Sequence, residues 1–118
     1  GYDIEILEIH HRRKKDVPSG TARELARIAL EAGNRSRLVL GRQGQLGEKS
    51  PDEIGVVAVR SGDVVGEHTV IFGTDGERLE LVHKASSRLA FALGVVRAIR
   101  FIIGRPCGMY DMKAVLSR

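Results

Sequence analysis

The chain has no tryptophan, two tyrosines and three phenylalanines, so it offers few ring platforms on which nucleic-acid bases could stack. It has one cysteine, Cys107, which excludes an internal disulfide and fits a reducing, cytoplasmic setting. No activating motif surrounds that thiol. No apolar run reaches the length of a membrane span, and no basic-then-apolar leader opens the chain. No strand–GxGxxG–helix fingerprint is present: Gly41, Gly44 and Gly47 are spaced three apart in a polar stretch and read as a mobile loop. No Cys or third His stands at ligand spacing from the adjacent pair His10 and His11, so no metal site is expected.

What is present is a modest excess of positive charge with a definite location. Of 19 basic residues, Arg12, Arg13, Lys14 and Lys15 form one run, and the remaining basic residues balance the 15 acids. A single knot of cations beside two histidines points to a small anionic ligand rather than to nucleic acid. At 118 residues the chain is expected to be one domain, 1–118, with a modest core.

Tyr2 to Ile9 reads as a strand, and Ser19 to Ala32 as a helix capped by Ser19. Ala22, Leu25, Ala26 and Ala29 share one face of that helix, and Gly33-Asn34 stops it. Leu38 to Leu40 is a short strand, followed by the loop from Gly41 to Asp52. Three strand-like runs come next, Ile54 to Arg60, Val64 to Gly73 and Arg78 to Lys84. Ser61-Gly62-Asp63 and Asp75-Gly76 read as hairpin turns between them, which predicts an antiparallel meander joined by the first strand. Arg88 to Ile103 is a second helix, apolar almost all round and so expected to be buried on more than one side; Met109 to Leu116 is a short third one. The expected class is α+β: an open, mixed, mostly antiparallel sheet with helices on one face. Val and Ile also alternate on the other face, which is expected to serve homo-oligomer assembly.

The chemistry concentrates between Glu8 and Ala22. Neighbours in a strand point to opposite faces, so one of His10 and His11 can face a cleft while the other packs or orients the loop. Imidazole titrates near neutral pH and suits proton transfer; a pair of solvated histidines at a strand end is the plainer reading. Lys14, in a crowd of cations, is expected to give up its proton readily or to hold a carboxylate. Ser19-Gly20-Thr21 opens the helix, where outward N–H groups and the positive end of the dipole accept a carboxylate; Gly20 allows close approach and Thr21 adds a hydroxyl. Arg88, at the start of the second helix, opposes that dipole, which hints at an anionic partner.

These residues resemble the C-terminal domain of dihydrodipicolinate reductase. The pattern Glu-x-His-His-x-x-Lys-x-Asp-x-Pro-Ser-Gly-Thr stands complete from Glu8 to Thr21. Further stretches match from Val59 to Thr69, from Gly76 to Ala92, and from Gly108 into Leu116. The resemblance implies an enzyme of lysine (diaminopimelate) biosynthesis that reduces 4-hydroxy-tetrahydrodipicolinate to tetrahydrodipicolinate with NADPH or NADH. It implies His10 and Lys14 as catalytic proton-handling groups, and His11, Ser19, Gly20, Thr21 and, more weakly, Arg88 as substrate-binding residues. It also implies a homotetramer assembled through the sheet. The family's N-terminal nucleotide-binding domain has no counterpart here, so this stretch is expected to hold the substrate and oligomer contacts, with the cofactor bound mainly elsewhere and the chain alone inactive. A non-catalytic oligomerisation or anion-binding module on the same fold is the alternative. A nucleic-acid-binding domain using the basic run is a third reading, which the charge-balanced remainder of the chain disfavours.

Overall fold

The computed structural model describes residues 1–117, which divide into two compact units, residues 1–86 and the segment from Ser87 onward. The first holds β1 (Asp3–His10), α1 (Gly20–Gly33), β2 (Arg37–Leu40), β3 (Glu53–Arg60), β4 (Gly66–Thr74) and β5 (Glu77–Ala85). The second holds α2 (Leu89–Ile102) and α3 (Met112–Leu116).

The five strands form one sheet in the order β2-β3-β1-β4-β5. β1 runs parallel to β3 and antiparallel to β4; β2 is parallel to β3, and β4 pairs with β5 as a hairpin. The sheet is therefore mixed, and its longest ladder, between β4 and β5, is antiparallel. The expected meander is corrected here. β3 and β4 follow one another in sequence but are not neighbours, because β1 lies between them. The Ser61-Gly62-Asp63 turn starts a crossing rather than a hairpin, and Val64-Val65 belong to it instead of to β4. Stepping over one strand covers about 10 Å, and the five residues from Ser61 to Val65 reach that easily. The crossing is tied down by the Ser61 N–H to the His10 carbonyl (2.9 Å) and the Arg12 N–H to the Gly62 carbonyl (3.1 Å).

Strand parity then decides the core. Ile4, Ile6, Glu8 and His10 alternate toward α1, in register with Ile54, Val56, Ala58 and Arg60 on β3. Phe72, Val70 and His68 of β4 face the same way. Ala22 and Ala26 of α1 are wholly buried against this face, and their small side chains let the helix backbone lie close to the sheet. Leu25, Ala29 and Leu30 flank that contact. Ser19 caps the helix by accepting the Ala22 N–H (3.2 Å). At the other end Asn34, not Gly33, takes the left-handed conformation (φ 49°) that ends it.

The opposite face has two parts. Leu7, Ile9, Val57 and Val59 make an apolar patch. Beside it, Arg42 makes a two-pronged ion pair with Glu5 (2.8 and 2.9 Å) and a further one with Glu53 (2.6 Å), while Lys49 reaches Asp3 and Glu5. Gly55 makes this possible, since a β-carbon there would lie 2.0 Å from the Glu5 carboxylate. The glycine-bearing loop after β2, expected to be mobile, is thus anchored to the sheet through Arg42 and Lys49.

In the second unit, Ser87 Oγ accepts the Leu89 N–H (3.2 Å) at the start of α2, and Asp111 caps α3 through the Ala114 N–H (2.8 Å). Arg105 stacks on the Phe101 ring at 3.8 Å. The burial expected on two sides of α2 is not met within the single chain: no residue of that helix is buried. Cys107 is exposed. Among the described residues no helix is long and apolar enough to cross a membrane.

Candidate active site

Glu8 sits on β1 with the parity of Ile4 and Ile6, so its carboxylate points into the core and is fully buried. A buried charge has to be paired and hydrogen-bonded. Four donors meet it. Arg60 Nη1 lies 2.7 Å from Oε2 and Nη2 lies 2.9 Å from Oε1; the Ser19 N–H donates at 2.9 Å, and His10 Nδ1 lies at 2.6 Å. Burial pushes the Glu8 carboxyl up, but the hydrogen bonds from Arg60, His10 and the Ser19 amide outweigh it and hold the group at about 2. An ionised carboxylate only accepts, so His10 Nδ1 carries the proton toward it. That leaves His10 Nε2 as the ring's remaining proton-exchange position. It lies over Gly66, where a β-carbon would come within 3.1 Å of it.

The His10 ring meets His68 edge-on, with centroids 5.1 Å apart. His68 Nε2 is 3.0 Å from Ser19 Oγ. Desolvation holds the His68 imidazole below its ordinary value, and the nearby His10 adds to the effect, so this ring is neutral near pH 7. His83 on β5 stands opposite His68 in register and shares its face. Together with Thr21, Leu25, Val70 and Leu81 these two histidines line a cleft of about 420 Å³ between the start of α1 and the β4–β5 hairpin.

The expected site residues fall into three groups. His10 is buried at the end of β1 and joins the Glu8 network, while His11 lies just past the strand and is half-buried. Lys14 lies in the loop that follows, where its Nζ meets the Asp16 carboxylate at 2.9 Å. Ser19 is buried, with its amide committed to Glu8 and its hydroxyl to Ala22 and His68. Gly20 and Thr21 are exposed at the first turn of α1, where the leading N–H groups precede any intrahelical acceptor. Space beside Gly20 is open. Arg88 stands in the second unit, at the N-cap of α2, and its assignment rests on the resemblance alone.

Sequence reasoning left Glu8, Arg60, His68 and His83 without roles. For Glu8 a signal existed, since a carboxylate at an inward position of an apolar strand demands buried donors. For the other three the signal lay in the register of β3, β4 and β5.

The first unit thus carries a buried carboxylate–imidazole network and an exposed helix N-terminus on one mixed sheet. Comparison with known proteins gives it a family. The model of the C-terminus of dihydrodipicolinate reductase matches residues 1–116, and the chain belongs to that family. Among curated relatives, the 4-hydroxy-tetrahydrodipicolinate reductase of Syntrophus aciditrophicus is 54% identical over 98% of this chain and 44% of its own length. That of an Anaeromyxobacter species is 57% identical over the same shares, and that of Akkermansia muciniphila 55% identical over 98% and 48%. The chain thus spans about half the length of the curated relatives it matches. Among solved structures, a dipicolinate-bound dihydrodipicolinate reductase from Paenisporosarcina sp. TG-14 superposes with a TM-score of 0.71 at 27% identity, over 97% of this chain and 44% of that one.

Proposed function

We propose that this chain is the substrate-binding and proton-handling part of a 4-hydroxy-tetrahydrodipicolinate reductase, which reduces its cyclic dicarboxylate substrate with loss of water in lysine biosynthesis. The observation that carries this is the Glu8–His10 pair, whose imidazole meets His68, together with the cleft that His68 and Thr21 both line. One carboxylate of the substrate binds the Gly20 and Thr21 amides and the Thr21 hydroxyl at the positive end of α1. His11 supplies a further substrate contact. Ser19 serves by holding the turn and the Glu8 carboxylate.

Loss of water removes one ring C–H proton and gives a proton to the departing hydroxide, and hydride addition is completed by one further proton, so the reaction consumes one proton net. His10 takes or gives a proton at Nε2 in these transfers, while Glu8 stabilises the imidazolium form. Lys14 donates a proton from Nζ. The reaction takes its hydride from NADPH or NADH. The described residues do not fit a dinucleotide: Gly41, Gly44 and Gly47 lie between two strands, and the turn into α1 is filled by the Ser19 cap. The cofactor is therefore assigned to the part of the longer relatives that this chain does not span, and the chain alone does not turn over substrate. The apolar outer patch around Leu7, Ile9, Val57 and Val59 serves a homo-oligomer, assigned by family resemblance as a tetramer.

Calorimetric titration with pyridine-2,6-dicarboxylate tests the reading. Binding to the chain that is weakened by Lys14→Ala supports it. Binding unaffected by Lys14→Ala removes Lys14 from the site, and absence of binding favours a module that serves assembly alone.

A further inference from the structure

We infer that Arg60 is a positioning residue that fixes the His10 ring and the Lys14 segment in one common geometry. The inference rests on the reading of His10 and Lys14 given above. Arg60 closes β3 at the position paired with His10. Its side chain is mostly buried, and each of its three nitrogens is engaged. Nη1 and Nη2 grip the two Glu8 oxygens at 2.7 and 2.9 Å; Nη2 also donates to the Asp16 carbonyl (2.8 Å), Nε to the Lys14 carbonyl (3.3 Å) and Nη1 to the Val59 carbonyl (2.8 Å). The same guanidinium thus orients the carboxylate that orients His10 and pins the backbone that carries Lys14. The planar fork is required. An ammonium is a point charge with three donors and cannot span two carboxylate oxygens and three carbonyls at once.

A plain ion pair would serve stability only, and the molecule contains a control for that role. Arg42 on the opposite face grips Glu5 with the same two-pronged geometry, at 2.8 and 2.9 Å, and touches none of the site residues. The test compares Arg60→Met, Arg60→Lys and Arg42→Met. The readouts are the imidazole nitrogen chemical shifts of His10, which report the tautomer, amide exchange across residues 12–16, and the affinity for pyridine-2,6-dicarboxylate. Loss of the fork is expected to mix the His10 tautomers and speed exchange at Lys14 and Asp16. It is also expected to weaken dicarboxylate binding by about tenfold or more, the scale of effect that misplaced binding groups produce. Arg60→Lys keeps the charge and should fall close to Arg60→Met, which also serves should the methionine variant fail to fold. Arg42→Met should leave all three readouts at wild-type values. Retention of the wild-type tautomer and exchange in both Arg60 variants overturns the inference. Should the wild-type chain bind no dicarboxylate, the functional reading fails for this chain, and the tautomer and exchange arms still decide the role of Arg60.

Discussion

Acid should expose the Glu8 network as a pH-dependent part of the protein's stability. The carboxyl is held at about 2 in the folded chain, against an ordinary value of 4.5, because the donors from Arg60, His10 and the Ser19 amide outweigh the cost of burial. A group lowered on folding contributes its stability above the unfolded value and loses it as pH falls through the folded value. At about 1.4 kcal/mol per tenfold change, the gap corresponds to about 3 kcal/mol, present above roughly pH 5 and mostly gone near pH 2.5. Urea unfolding of the wild type and Glu8→Gln across that pH range isolates the contribution, since the other carboxylates are common to both. Glu8→Gln is less stable at neutral pH, because the amide cannot meet Arg60 with two acceptors, and the difference should shrink by about 3 kcal/mol on acidification. A difference that stays constant with pH would mean that folding leaves the Glu8 carboxyl at its ordinary value, and one that widens on acidification would mean that Glu8 is neutral inside the fold, in which case the assignment of the His10 proton to Nδ1 would fall.

Other perturbations separate the site from its support. Gly66→Ala places a β-carbon 3.1 Å from His10 Nε2, so it should displace the ring and weaken dicarboxylate binding while costing only about 1 kcal/mol in denaturant. Ile6→Ala empties a fully buried position between β3 and β4 and should cost about 3–4 kcal/mol by the same unfolding assay. Asn34→Gly relieves a non-glycine residue at φ 49° and should raise stability by about 0.5 kcal/mol, read as a higher thermal midpoint.

Local features of the chain were legible because each rests on contacts within a few residues. The Ser19 cap, the small-residue face of α1 through Ala22 and Ala26, the Asn34 stop and the Asp75-Gly76 hairpin all follow from rules of that range. The neighbours of β3 did not follow, because pairing across a crossing depends on which strand fills the gap, and local patterning is silent about that. The same gap hid Arg60. As the last residue of a strand it reads as a solvated cation, and only the parallel register with β1 brings it beneath Glu8.

By itself the sequence determined the elements, the family and the segment that carries the chemistry, since propensity, capping and motif spacing are short-range properties. Tertiary structure alone decided that β1 lies between β3 and β4, and from that placement the site followed. It turned Glu8 into a buried hub, set His68 beside His10, drew Ser19 inward as support and paired Lys14 with Asp16. The physical reason is burial. A carboxylate held away from water must gather donors from wherever the fold brings them, and here they come from β1, β3 and the start of α1.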